Sequence, residues 1–218
     1  MRTHTFEKMA RGLVLTALCG WTLTSAGTAA EPQTASGLPA EGKLDAHLGK
    51  AALELTQVFR GERFPNVVVG VDGTVVATFG TRSVRARLSK DAGATWSEEL
   101  FISKPGFQCG GLTVNEGNGD IFAFVEERHP PAPLHVFKSG DHGKSWQKVE
   151  AVIKPDSKGN VPSMHMNEHG ITLRRGKHKG RLLRPSRWYA GKNERARWPR
   201  HYTNAVYSDD GGKTWQAS

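Results

Sequence analysis

The chain has 218 residues, 37% of them hydrophobic, with 25 glycines, six tryptophans, two cysteines and a formal net charge of +9. That composition suits one turn-rich globular domain, and the length allows a sizeable core. Beyond the N-terminus no apolar run approaches the roughly 20 residues a bilayer requires, which excludes a helical span there.

At the N-terminus, Arg2, Lys8 and Arg11 precede GLVLTALCGWTL, and the small-residue stretch SAGTAA follows. Charged, apolar and small residues in that order form a secretory signal over residues 1–30, with cleavage expected after Ala29 or Ala30. The protein is then secreted or periplasmic; a short membrane anchor is the competing reading. Leu18, where a lipoprotein has a small residue, argues against lipidation of Cys19. Removal of the signal leaves Cys109, in QCGG, without a disulfide partner, so stability must come from packing. Cys109 itself reads as a small packed residue rather than a nucleophile. Residues 31–50 are small, polar and aperiodic and are expected to form a mobile leader.

Residues 51–218 read as short strands separated by turns, in units of about 59–104, 105–154 and 155–218. In the first unit NVVVGVDGTVVATFG gives two strands joined at Asp72-Gly73, a strong hairpin signal. SVRARLS alternates apolar and basic residues as a half-exposed strand does, and TWSEELFIS supplies a fourth strand. The order repeats as GLTVNEGNG, DIFAFVEE, LHVFKS and SWQKVEAVI, then as GITLRRGKHKG, RLLRPSRWYA, NAVYS and TWQAS. No segment has a convincing helical period. The fold class expected is all-β, with three four-stranded blades of a β-propeller.

A second repeat lies inside the first. SKDAGATW, SGDHGKSW and SDDGGKTW share the pattern Ser-x-Asp-x-Gly-x-Thr/Ser-Trp, each between the third and fourth strand of its unit. Asp91, Asp141 and Asp210 can accept hydrogen bonds from backbone N–H groups that a tight turn leaves unpaired. Gly93, Gly143 and Gly212 can take positive φ. Trp96, Trp146 and Trp215 can cover the hairpin with a large apolar face. These residues are structural, and their acids are not candidates for catalysis.

The triplet is the Asp-box, or bacterial neuraminidase repeat, and from about Phe59 onward the chain resembles the sialidase family, whose propeller has six blades. The resemblance implies an exo-glycosidase removing terminal sialic acid or a related acidic sugar with retention, using a Tyr nucleophile, a Glu that activates it and an Asp acid/base. Arg63-Phe64-Pro65 is similar to the Arg-Ile-Pro signature that supplies one arginine of the family's carboxylate-binding triad; a guanidinium fork can pair both oxygens of a sugar carboxylate. Arg82, in ATFGTR, occupies the position of a further active-site arginine. An ordinary surface arginine is the alternative at both positions. The family's acid/base Asp has no counterpart, because its loop is reduced here to about Thr81-Arg82-Ser83. Glu126 and Glu127, in EERHPPAP, are substitute candidates, with His129 a substrate contact; a solvated loop is the competing reading. Arg187 and Tyr189, beside Arg184 and Trp188, suit a sugar ring bearing an acid and equally a packed strand end. His165, Glu168 and His169 have the spacing of metal ligands, but no element presents them together, so no metal and no cofactor are expected.

From Arg174 to His201 there are eleven Lys or Arg residues and one acid, Glu194. A carboxylated or sulfated glycan and a plain solvated basic face both account for this run. The signal peptide argues against a nucleic acid partner, which would otherwise show affinity falling steeply with salt. Three blades of six, with the family's Tyr and Glu not yet reached, imply the N-terminal half of a longer protein, inactive alone. Pairing of two half-propellers is the second explanation. A non-catalytic glycan-binding or scaffolding Asp-box propeller is the rival to the enzyme, favoured by the missing Asp.

Overall fold

The computed structural model describes residues 55–61, 63–108, 110–165, 168–191 and 194–218. The signal segment, the leader and Cys109 lie outside the described residues.

The described chain is all-β apart from one 3-10 turn, Arg195–Arg200, and forms three sheets. The first is a meander of β1 (Asn66–Val69), β2 (Val75–Phe79), β3 (Val84–Ser89) and β4 (Leu100–Ser103). The second places β5 (Phe107–Gln108) and β6 (Thr113–Val114) against β7 (Ile121–Glu126), followed by β8 (Leu134–Ser139) and β9 (Gln147–Val149). The third runs β10 (Val152–Lys154), β14 (Thr214–Ala217), β13 (Tyr202–Ser208), β12 (Leu182–Trp188) and β11 (Ile171–Thr172). The expected all-β architecture of successive antiparallel propeller-type sheets is thus present, with four strands in the first sheet and five in each of the other two. SWQKVEAVI, read above as one strand, is split. Gln147–Val149 closes the second sheet, whereas Val152–Lys154 crosses over to pair in parallel with β14 of the third.

Inner strands tie the sheets together. The Asn66 Oδ1 accepts from the Leu112 N–H at 3.3 Å, and the Leu112 carbonyl accepts from the Gly170 N–H at 2.9 Å. Beyond them, the Thr172 hydroxyl donates to the Val114 carbonyl at 2.8 Å. Two apolar clusters fill the spaces between sheets, and β7 serves both. Ile121, Ala123 and Val125 face the first sheet with Val76, Ala86 and Leu112, while Phe122 and Phe124 face the third with Leu182, Val206 and Trp215. Burial on both faces explains why IFAFVE reads as a continuous apolar run rather than an alternating one.

The Asp-box turns are built as their residue types suggest. In the first, Ser89 Oγ donates to Asp91 Oδ1 at 2.7 Å and accepts from the Gly93 N–H at 2.8 Å. Asp91 also accepts from the Thr95 N–H (2.8 Å) and hydroxyl (2.5 Å), and Trp96 Nε1 donates to the Gly93 carbonyl at 3.0 Å. The second box repeats the pattern with Ser139, Asp141, Gly143, Ser145 and Trp146. The third does so with Ser208, Asp210, Gly212, Thr214 and Trp215. Hydrogen bonds from the Thr95 side chain and backbone and from Ser89 hold the Asp91 carboxyl at about 2. Burial alone would raise Asp141, but its bonds from Ser145 and Ser139 outweigh that and bring it to about 2 as well. The stabilisation from these carboxylates is complete above a pH near 4 and is lost as pH falls through about 2.

The box glycines do more than relax φ, which is +96°, +92° and +92° at Gly93, Gly143 and Gly212. A Cβ on Gly212 would lie 2.4 Å from the Phe122 ring of the second sheet, and one on Gly143 would lie 3.0 Å from Leu88 of the first. A Cβ on Gly93 meets only its own Trp96, at 3.7 Å. Each later box is therefore pressed onto the preceding sheet. Trp215 completes the contact; it is fully buried, with T-shaped packing on Phe122 (5.8 Å) and Phe124 (5.0 Å). Gly93→Ala should cost about 1–2 kcal/mol, the left-handed penalty alone. Gly212→Ala should cost about 2–5 kcal/mol because overpacking is added, with Gly143→Ala between them. Urea-unfolding midpoints of the three variants check the ranking; equal losses would refute the inter-sheet role.

Candidate functional site

Within each sheet the Asp-box lies at one end and the close of the second strand at the other. Three second-strand ends, at Phe79, Glu126 and Trp188, therefore define the face opposite the boxes. Arg63 is fixed there because its carbonyl accepts from the Gly80 N–H at 3.1 Å, just past β2. Gly80 has φ +132°, and an added Cβ would stand 1.9 Å from the Ser83 carbonyl oxygen, so the β2–β3 turn closes in four residues, Gly80–Ser83. None of those four residues is an acid.

Arg63 and Phe64 from before β1, His129 from after β7, and Arg187 and Tyr189 from the end of β12 line one cavity of about 380 Å³. His165, Trp198 and His201 complete the lining. His165 is delivered by the loop before β11. Backbone N–H groups of Ser163 and Arg187 donate to each other's carbonyls at 2.7 and 2.9 Å, and Ser163 Oγ accepts from the His165 N–H at 3.1 Å. The floor is aromatic. His165 packs against Phe64 (5.0 Å), Phe107 (5.0 Å) and His129 (4.7 Å), and Tyr189 against His201 (4.6 Å).

No carboxylate stands among the described residues that line this cavity, whereas two guanidinium groups do. Burial, with the neighbouring His129, Arg187 and Arg63, pushes His165 down to about 3. Burial and Arg187 lower His201 in the same direction. His165 is therefore neutral at ordinary pH, and the cavity's fixed charge resides on Arg63 and Arg187. The Nε of Arg187 is buried and finds no acceptor among the described residues, and its guanidinium carbon stands 5.0 Å from the Tyr189 ring centre. A buried donor left in this state suits an anionic guest whose oxygen completes its hydrogen bonding.

The remaining candidates lie elsewhere. Arg82 is exposed on the β2–β3 turn, its carbonyl accepting from Gly106 at 3.2 Å. Glu126 is buried and faces a neighbouring cavity of about 480 Å³, together with Ser163, Trp188 and Tyr189. Tyr189 is thus the wall between the two cavities. Glu127 is exposed and paired with His135 at 3.1 Å. Arg184 is a core residue that donates to the Gly111 carbonyl at 3.0 Å and stacks on Phe124. His165 and His169 diverge, the latter lining a groove beside β1 with Glu116 and Thr172, and no three potential metal ligands group among the described residues. The residues missed were Phe64, Trp198 and His201; only the mixture of aromatic and basic residues in RARWPRHY hinted at the last two.

His165 also makes a pH prediction. Its folded value lies below its unfolded one, so its contribution to stability is complete above about pH 6.5 and declines as pH falls toward 3. In that window His165→Phe should flatten the pH dependence of unfolding free energy by up to about 1.4 kcal/mol per pH unit. Urea titrations between pH 7 and 4 provide the check; parallel curves for wild type and variant would contradict it.

The family model described as BNR/Asp-box repeat matches residues 206–217, the third box. A sialidase from Micromonospora viridifaciens is 30% identical over 194 residues, which is 73% of this chain and 29% of that protein. The chain thus spans less than a third of that relative's length. Among solved structures, a Trypanosoma rangeli sialidase mutant displaying trans-sialidase activity superposes with a TM-score of 0.44 and 19% identity, covering 72% of this chain and 30% of that one. A leech intramolecular trans-sialidase gives a TM-score of 0.40 and 25% identity over 63% of this chain and 19% of that one. With its three Asp-boxes and this kinship in sequence, the chain belongs to the sialidase-type BNR/Asp-box family.

Proposed function

We propose that this chain forms the acid-recognising part of a glycan-processing propeller whose reaction is hydrolysis of terminal sialic acid, or a related acidic sugar, from glycans. The observation that carries the reading is the convergence of Arg63, His129, Arg187 and Tyr189 on one cavity without a carboxylate among its described lining residues. Arg63 and Arg187 bind the sugar carboxylate, and Tyr189, Phe64 and Trp198 give the ring apolar faces. An acid paired to two guanidinium groups is held anionic and oriented, which fixes the anomeric centre for attack. None of the described residues lining the cavity is a carboxylic acid. On this reading the nucleophile and acid/base belong to parts of the family's length that this chain does not span, and the chain alone binds without turnover. With the secretory signal expected at residues 1–30, this reading makes its substrates extracellular or periplasmic glycans.

A non-catalytic lectin-like propeller is the second reading, favoured by the lack of a carboxylate at the cavity and the placement of Glu126 behind the Tyr189 wall. In the full-length protein, Arg63→Ala and Arg187→Ala should each lower kcat/KM on a sialoside by about 10²-fold or more, the effect of removing a charge-assisted pair. Unchanged turnover in both would remove the cavity from the active site. Binding without turnover in the intact wild-type protein would establish the second reading.

A further inference from the structure

Apart from Arg187 in the cavity, the basic run contains two groups of residues in different settings. Arg174 pairs with Glu116 at 2.7 and 2.9 Å, Arg181 pairs with Asp209 at 2.8 and 2.7 Å, and Arg184 is buried in the core. These are structural. The second group belongs to the connection between β12 and β13, whose strands pair as far as Trp188↔Tyr202, so that its described residues 189–191 and 194–201 extend past the end of the sheet. The 3-10 turn Arg195–Arg200 in that connection has no buried residue. Arg197 is occupied, since its Nε donates to Glu194 at 2.8 Å and its guanidinium lies over Gly191. Arg195 and Arg200 are exposed and have no acidic partner among the described residues. Between them Trp198, 53% exposed, reaches the cavity, and His201 follows on its lining.

From this arrangement we infer that the Arg195–Arg200 turn is a second anion subsite, which selects glycans bearing a further acidic group next to the terminal acidic sugar. The inference rests on the binding role assigned to the Arg63–Arg187 cavity. None of the turn's residues is buried, so its two arginines and its indole are presented to solvent beside the cavity. Aromatic and guanidinium groups presented together suit a sugar ring carrying a carboxylate or a sulfate ester, the indole taking the ring face and the arginines the anion. Its continuity with the cavity through Trp198 and His201 places that ring next to the one bound by Arg63 and Arg187.

Calorimetric titration of the full-length protein with non-hydrolysable S-linked analogues of 3′-sialyllactose, which carries one acid, and of a disialyl-lactose, which carries two, tests the proposal. Wild type should bind the two-acid glycan about tenfold more tightly, equivalent to 1.4 kcal/mol. The double variant R195A/R200A should lose that preference and keep its affinity for the 3′-sialyllactose analogue. K177A/K179A removes the same charge from the β11–β12 turn, at the opposite end of β12, and should retain the preference. No preference in wild type, a preference that survives R195A/R200A, or an equal loss in K177A/K179A would each overturn the inference while leaving the cavity reading intact. If Arg63→Ala binds both glycans as wild type does, the cavity reading fails separately. Wild type binding neither probe would overturn both.

Discussion

Each sheet closes its outer hairpin around a carboxylate that accepts from a hydroxyl and a backbone N–H four residues on, while the serine ahead of it caps the glycine in between. This turn fixes where the tryptophan leaves the chain and leaves a bare glycine surface on its flank. In the second and third boxes that surface is pressed against the preceding sheet, with Gly143 on Leu88 and Val76 and Gly212 on Phe122. The local hydrogen-bond network and the distance between sheets are therefore one constraint. A side chain at the glycine, or loss of the carboxylate, would disturb both at once.

The sheet spacing in turn defines the cavity. Because the second strands all end on the face away from the boxes, residues remote in sequence reach the same volume from the start of β1, the end of β7 and the end of β12. Neither the residues before β1 nor the loop after β7 forms a site alone. The aromatic floor of Phe64, Phe107 and His165 joins the pieces, and its burial keeps His165 neutral beside two arginines. A protonated His165 there would add a third positive charge to a site already carrying two.

Much of this was legible in the sequence, for identifiable reasons. The Asp-box announces itself because its hydrogen bonds are local, each residue type having one partner within a few positions. The strands of the first sheet were legible because β1 and β2 flank an Asp-Gly turn whose Asp72 accepts from Thr74 at 3.0 Å. Arg63, His129, Arg187 and Tyr189 could be named individually, but their convergence is a property of sheet packing that spacing does not encode. The setting of Glu126 is hidden for the same reason. At the end of a strand buried on both faces, it is buried one position from the exposed Glu127 and lines the neighbouring cavity with Tyr189. The transfer of Val152–Lys154 to the third sheet was illegible because its parallel partner lies about sixty residues ahead. The 3-10 turn had no apolar stripe to reveal it, since none of its residues is buried.

A crystal structure of the full-length protein soaked with sialic acid shows whether Arg63 and Arg187 jointly bind a sugar carboxylate. The carboxylate should lie within hydrogen-bonding distance of both guanidinium groups, with one oxygen meeting the buried Nε of Arg187. Sialic acid bound elsewhere, or seated in the cavity with its carboxylate turned away from both arginines, would contradict it.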